Sequence, residues 1–425
     1  MKSIRTLKIG FLGLGNIGCG VFRILESQHN RIAIQYGIEF VCGRVLVRNP
    51  AKQRNAGIDA SLLTTNPNDI LLDSDTHIVI ECMGGEAPAY EYIDKALRAG
   101  KSVVTANKEV MSKYGIQLMQ TAHQSGSGLF FEASVCGGIP IIKILQEALQ
   151  GNVIHEVKGI INGTTNYILT RMVEDDMSFD AALSQAQGLG YAEPNPESDI
   201  SGRDAAYKLS ILASLAFGTP VPVDQMLCEG ISNIQQQDIE TGNELGFALK
   251  LLSIAKQHND GVEVRVHPAF IPKSHPLASV RNAYNAVFIA GDAVGELMLY
   301  GKGAGDMPTG SAIVSDLVCA ASQLEQPKSL AQGMNQQQIV NDWECEYYIR
   351  LTARDQPGVL AKIASVFGIY QVSLASVIQK DHSLESVPLV FVTHMTSEKA
   401  FFKAMTAIAD IAEVIRIDNI IRVER

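Results

Sequence analysis

At 425 residues the chain exceeds what one hydrophobic core usually organises, and about 100–200 residues per domain suggests two to four units. Hydrophobic residues make up 46% and charged residues 19%, and the mean hydropathy of +0.09 excludes a polytopic membrane protein. The formal net charge of −10 disfavours broad attraction to nucleic acid or an anionic membrane, which leaves small molecules as partners.

Apolar runs such as Leu209–Phe217 are short and broken by Ser or Gly, well under the roughly 18 residues that span a bilayer, so no transmembrane helix is expected. Met1 to Arg5 lead directly into a strand-like run without a cleavage site, the pattern of a cytoplasmic protein. Seven cysteines, at 19, 42, 82, 136, 228, 319 and 345, include no C-x-x-C pair and read as small buried hydrophobes.

In chain order, strand-like Leu7–Leu12 precedes a helix from Asn16, then Phe40–Val47, Ile78–Glu81, a helix over Pro88–Ala99, Ser102–Thr105, another helix and Leu129–Glu132. This alternation predicts a parallel sheet covered by helices over residues 1–139. From about Pro140 the rhythm becomes mixed, with helices Phe179–Gln187 and Arg203–Phe217 and strands Val262–Val266, Ala286–Ala290 and Glu296–Leu299. A second α+β domain over 140–322 is the simplest reading. Residues 323–342, rich in Gln and containing Pro327, Gly333 and Asn335, read as a polar connector. Residues 343–425 then give strand Tyr347–Thr352, helix Gly358–Ile369, strands Ser373–Ile378 and Val387–Thr393, helix Glu398–Ile411 and strand Val414–Arg422. That is a ferredoxin-like βαββαβ order, so the whole chain falls in the α/β class.

Gly13-Leu14-Gly15-Asn16-Ile17-Gly18 joins the first strand to the first helix, where glycines permit a tight turn and main-chain N–H groups can approach a pyrophosphate. A glycine-rich turn without a ligand is the competing reading. The second strand ends at Val47-Arg48, where an NAD site places Asp or Glu against the ribose hydroxyls. Arg48 suits a 2′-phosphate, hence NADP(H), against the alternative of a solvated arginine. Glu39 precedes the strand and belongs at the sheet's opposite edge.

The stretch Gly188-Leu189-Gly190-Tyr191-Ala192-Glu193-Pro194-Asn195-Pro196-Glu197-Ser198-Asp199-Ile200-Ser201-Gly202-Arg203-Asp204-Ala205-Ala206-Tyr207-Lys208 is an acidic loop running into a helix. Asp204 and Lys208 share one helix face, as any i,i+4 ion pair would. The same face continues to Ile211, Leu212 and Leu215, which puts Lys208 where a polar cleft meets the core. This run resembles the homoserine dehydrogenase signature, with its Asp-x-x-Gly-x-Asp element at Asp199, Gly202 and Asp204 and its terminal Lys208.

The resemblance implies a chemistry. Lys208 would be the proton donor for reduction of aspartate semialdehyde by NADP(H), in threonine and methionine biosynthesis. Glu193 and Asp204 would hold the substrate's amino group, with Tyr191 and Asp199 beside it and Gly190 near the cofactor. Thr105-Ala106-Asn107-Lys108 is similar to the family's stretch in which the lysine reaches cofactor and substrate, although alone Lys108 could be a helix-start surface residue. Asn162-Gly163-Thr164-Thr165-Asn166-Tyr167 resembles the family's substrate-contacting turn, with Thr164 meeting the substrate; a helix N-cap, which Thr and Asn commonly supply, is the competing reading. Glu132-Ala133-Ser134-Val135-Cys136-Gly137-Gly138-Ile139-Pro140 resembles its sodium loop, which implies ligands at Glu132, Val135, Gly137 and Ile139. Gly301 to Thr309 looks like its late glycine loop, with Gly305 near the cofactor or a plain turn capped by Thr309.

Leu351-Thr352-Ala353-Arg354-Asp355-Gln356-Pro357-Gly358-Val359-Leu360 resembles the ACT domain family. That implies pairing across subunits as a homodimer or homotetramer and an amino-acid effector such as threonine, or dimerisation without a ligand. Gln371 stands where many relatives carry glycine. Two other readings remain open: an ACT-regulated hydroxyacid dehydrogenase, which would use a His–acid pair with Arg, and a regulatory protein that keeps the nucleotide fold without turnover.

Overall fold

The structure, a computed structural model, describes residues 4–52, 57–324, 335–379 and 386–425. Residues 325–334 of the expected connector, including Pro327 and Gly333, and the starting residues 1–3 lie outside the described residues. Among the described residues no helix is long and apolar enough to cross a membrane, and all seven cysteines are free thiols.

Compactness does not follow chain order. One unit comprises Met1–Val157, Asp204–Met226 and Tyr284–Gln337, and the other Lys158–Arg203, Leu227–Ala283 and Gln338–Arg425.

The first unit holds a six-stranded parallel sheet in the order Leu63–Thr64, Ile38–Leu46, Arg5–Leu12, Thr76–Glu81, Ser102–Thr105, Leu129–Phe130. The order reverses direction beside Arg5–Leu12, which is the switch point where doubly wound sheets bind ligands. Ile78, Val79 and Ile80 are all fully buried, because helices cover both faces and no alternation is needed. Each such side chain contributes roughly 1.5–3 kcal/mol. The helix Asn16–Tyr36 ends on Gly37, at φ 68° with its N–H on the Ala33 carbonyl, a left-handed stop that glycine takes without strain.

Helix Asp306–Ser322, from a stretch read as part of the second domain, packs in this core: Ile313 and Leu317 share it with Ile9, Phe11 and Ile80. It crosses Asn16–Tyr36 closely, since a Cβ on Gly20 would stand 2.4 Å from the Asp306 carbonyl oxygen. The antiparallel hairpin Tyr284–Gly291 and Gly295–Lys302 belongs to the same unit and is longer at both ends than its apolar runs suggest. The strand expected over Leu129–Glu132 stops at Phe130, and a 3-10 turn spans Glu132–Ser134. Glu132 leaves the sheet because its N–H donates to Asp316 (2.9 Å) while its carboxylate accepts from the Ile142 and Lys143 N–H groups.

The second unit carries the sheet order Phe247–His258, Gly261–Pro272, Val414–Val423, Glu344–Arg354, Ser386–Thr393, Leu374–Gln379. The C-terminal elements have the expected βαββαβ order. Its last strand pairs with Gly261–Pro272, Ala269 opposite Arg422, so the module's sheet continues into its neighbour. The connector's end also joins in, as Ile339 and Val340 pair with Val262 and Glu263. Both faces of Glu344–Arg354 are buried. Tyr347, Ile349 and Leu351 face the core with Ile363, Phe367 and Phe401. Tyr348 and Arg350 meet Asp238 of helix Gln236–Glu244, with Arg350 Nε 2.7 Å from its carboxylate.

Candidate active site

The glycine turn lies where strand Arg5–Leu12 ends. Gly13 sits at φ 100°, and a Cβ there would meet the Cys82 carbonyl at 3.0 Å. A Cβ on Gly15 would meet nothing within 4 Å. Gly15 precedes Asn16, Ile17 and Gly18 at a helix start with no side-chain cap and no acidic first-turn residue, which leaves the N–H groups and the positive dipole end to an anion. Arg48 is exposed just past the adjacent strand and makes no ion pair with a described residue. Glu39 is the strand's second residue rather than preceding it, at the sheet's far edge, where it accepts from Thr6 Oγ1 (3.4 Å).

Lys108, Asp204 and Lys208 come together in this unit. Ser102–Thr105 delivers the chain to Asn107, whose side chain caps helix Lys108–Ser125 by accepting from the Val110 N–H. Lys108 thus starts a helix at the carboxyl edge of the sheet, and its Nζ lies 2.5 Å from Asp204 Oδ1. Lys208 Nζ lies 2.6 Å from Asp204 Oδ2. Asp204 is 2% exposed. Burial alone would raise its pKa, but Lys208 and then Lys108 outweigh that and hold the carboxyl well below the usual range. The i,i+4 pair is therefore a buried pair with a second lysine from a distant segment.

Beneath the end of strand Thr76–Glu81, the fully buried Glu81 accepts from Thr105 Oγ1 (2.6 Å) and the Met83 N–H (2.8 Å). Burial pushes its pKa up. Glu81 and the cap Asn107 escaped sequence reasoning. An Asn ahead of a helical run could have marked Asn107, whereas nothing local marks Glu81.

Around the 132–139 loop, Cys136 is buried at φ 52°, and burial pushes its thiol up to about 11. The Gly138 N–H donates to the Lys302 carbonyl, and Gly303 packs so tightly on Asn285 that a Cβ would fall 1.9 Å from its amide. The segments 132–139 and 301–309 therefore lie side by side within the unit. Val135 and Gly137 are buried, and their carbonyls accept no hydrogen bond from described residues. The Glu132 carbonyl accepts from Val135 N–H and that of Ile139 from Ile141 N–H. Among the described residues no cluster of three or more His, Cys, Asp or Glu side chains could hold a metal ion, so a cation here would rely on main-chain oxygen. Gly305, at φ 120°, precedes helix Asp306–Ser322 without a side-chain cap, and the Thr309 N–H donates to the Gly305 carbonyl.

The other unit positions Thr164, Tyr191 and Asp199. Asn162 caps helix Gly163–Glu174 by accepting from the Thr165 N–H (2.8 Å), and its amide donates to Asp199 Oδ1 (2.7 Å). The turn therefore does form a helix cap, through Asn162, while Thr164 is buried and donates to the Tyr191 carbonyl (2.7 Å). The Tyr167 and Tyr191 rings lie 4.9 Å apart. Gly190 takes φ 77° with open space where a Cβ would be. Glu193 is exposed, and its carbonyl accepts from Gln187.

The family model described as homoserine dehydrogenase matches residues 140–318, the one described as homoserine dehydrogenase, NAD binding domain, matches 13–132, and the ACT domain matches 347–413. Homoserine dehydrogenase of Bacillus subtilis is 38% identical over 429 residues, 99% of each chain. That of Synechocystis is 41% identical over 98% of this chain and 99% of its own. The chain belongs to the homoserine dehydrogenase family.

A crystal structure of a homoserine dehydrogenase from Thiobacillus denitrificans superposes with a TM-score of 0.94 at 40% identity, covering 100% of this chain and 99% of that one. A hyperthermophilic archaeal homoserine dehydrogenase solved in complex with NADPH is 26% identical, with a TM-score of 0.65, over 75% of this chain and 98% of its own. As a homoserine dehydrogenase the chain is an oxidoreductase with a nicotinamide-binding domain. Its ACT domain presents an exposed turn at Asp355–Gly358, with Gly358 at φ 93° before helix Val359–Ile369.

Proposed function

We propose that the chain catalyses the reversible NADP(H)-dependent reduction of L-aspartate 4-semialdehyde to L-homoserine, within threonine and methionine biosynthesis. The observation that carries this reading is Asp204, buried with an ammonium on each oxygen in the unit that also holds the glycine turn. A bound reduced nicotinamide supplies the hydride to the aldehyde carbon. As charge develops on the aldehyde oxygen, Lys208, oriented by Asp204 Oδ2, donates the proton that completes the alcohol. Lys108, tethered to the other oxygen, contacts substrate and cofactor. Glu193 and Asp204 hold the substrate's amino group, and Thr164, Tyr191 and Asp199 complete its contacts.

Gly13, Gly15, Asn16, Ile17 and Gly18 take the pyrophosphate, with Gly190 and Gly305 beside the cofactor. Arg48 takes the 2′-phosphate; its place just past the strand beside the glycine turn and the NADPH complex of the archaeal relative support NADP(H) over NAD. The Val135 and Gly137 carbonyls, which accept no hydrogen bond among the described residues, suit a sodium ion, with Glu132 and Ile139 completing the loop's ligands. The ACT domain binds an amino-acid effector, threonine, and the enzyme works in the cytoplasm as a homodimer or homotetramer.

The test is NADPH oxidation with aspartate semialdehyde, wild type against Lys208→Ala. Turnover in the wild type, lost in a variant that still binds NADPH, is the expected result. Near-normal turnover in the variant rejects the lysine's role, and a folded but inactive wild type rejects the substrate.

A further inference from the structure

Behind the turn that carries Thr164 lies a buried lysine with no part in the chemistry above. Lys250 is 5% exposed in the interior of strand Phe247–His258, opposite Ala269. Its Nζ donates to the Val280 carbonyl (2.5 Å) and to Asn166 Oδ1 (3.2 Å). Asn166 in turn donates to the Asn282 carbonyl (2.9 Å), and the Asn282 N–H donates to Thr170 Oγ1 (3.0 Å). The inner face of helix Gly163–Glu174 is thereby pinned to segment 280–282, with the ammonium at the junction.

An ordinary core position here would hold Leu or Met, because desolvating an ammonium is costly unless buried acceptors replace its water; the Val280 carbonyl that accepts from Lys250 also accepts from the Asn166 amide (3.4 Å). The acceptors that Lys250 meets belong to the first turn of the helix and to the strap beneath it. That first turn bears Thr164, bonded to Tyr191, and begins at Asn162, bonded to Asp199.

We propose that Lys250 is a positioning residue for the substrate turn: by gripping Asn166 and the Val280 carbonyl it sets the placement of Thr164 and of the Asn162–Asp199 pair. The proposal rests on the reading of Thr164 as a substrate contact. It also carries a pH signature. The charged groups facing Lys250 are Arg281, which opposes its charge, and Glu174, which favours it and is itself paired with Arg281 (3.2 Å) and Arg171 (3.0 Å). Burial, with Arg281 adding to it, lowers the lysine to about 8. The grip is then strongest below pH 8 and weakens as the ammonium loses its proton above it.

The experiment is steady-state kinetics on the full chain from pH 6.5 to 9.5, with aspartate semialdehyde and NADPH varied separately. Lys250→Met should raise the KM for the semialdehyde about tenfold, with kcat and the KM for NADPH changed less than about threefold. In the wild type the semialdehyde KM should climb above pH 8, and in Lys250→Met that limb should vanish. A folded Lys250→Met with wild-type KM and an unchanged limb overturns the proposal, as does an equal rise in both KM values. Should that variant not fold, Asn166→Asp decides: a carboxylate against the ammonium moves the limb to higher pH, and an unmoved limb overturns the proposal. Thr164→Val, run in parallel, separates the two readings. No change in semialdehyde KM there rejects the substrate contact itself, whereas a rise there without one in Lys250→Met rejects only the positioning role.

Discussion

Asp204 Oδ1 lies 2.5 Å from Lys108 Nζ while its other oxygen lies 2.6 Å from Lys208 Nζ, so one buried carboxylate orients two lysines from segments far apart in the chain. Asp204→Asn removes the negative charge that both ammoniums share. We expect kcat/KM to fall by about 10²–10³ and stability at pH 7 to fall by about 3 kcal/mol, the low end for breaking a buried pair, because Lys108 keeps access to water. The sign with pH follows from the direction of the shift. The carboxyl is held below its ordinary 3.8, so its stabilisation is fully present above that pH and is lost as pH falls through the folded value. Denaturant unfolding should therefore give a constant gap between wild type and variant from pH 5 to 8, narrowing only below pH 4.

Arg48→Asp should reverse the cofactor preference. A charge-assisted contact to a 2′-phosphate is lost and a repulsion introduced, so the KM for NADPH should rise about 10- to 100-fold while that for NADH holds or falls. Unchanged KM values for both would make Arg48 a solvated surface residue.

Gln371 occupies φ 59°, a left-handed conformation that costs a residue with a Cβ about 1–2 kcal/mol and glycine almost nothing. Since glycine also gains entropy when unfolded, Gln371→Gly should stabilise the C-terminal module by a net of about 1 kcal/mol. A lowered melting temperature would contradict this.

Threonine should bind the full chain at the exposed Asp355–Gly358 turn. Isothermal titration is expected to give a saturable heat that Gly358→Val abolishes, since φ 93° resists a branched side chain. The absence of heat or activity change at millimolar threonine would leave the module as a dimerisation element.

Much of the fold was legible in the sequence where the signal is local. Ser102–Thr105 and Arg203–Phe217 form over the expected residues, because apolar periodicity and the flanking turn residues act within a few positions. The turn at residues 162–167 was less legible. Thr and Asn both suit a helix cap by composition, and only the approach of Asn162 to the Thr165 N–H shows which residue of the turn supplies it. Glu81 was invisible, since a carboxylate ending an apolar strand acquires meaning only when Thr105 and Met83 close over it.

By itself the sequence determined the glycine turn at Gly13–Gly18, the βαββαβ order of the C-terminal module and the Asp204–Lys208 face, each written in spacings of two to four residues. The tertiary structure alone decided that Lys108 shares Asp204, that helix Asp306–Ser322 completes the first core, and that Val414–Val423 extends the sheet of Gly261–Pro272. The physical reason is that these last arrangements depend on which distant segments can bury apolar surface together and satisfy each other's polar groups. No short window of sequence contains both partners.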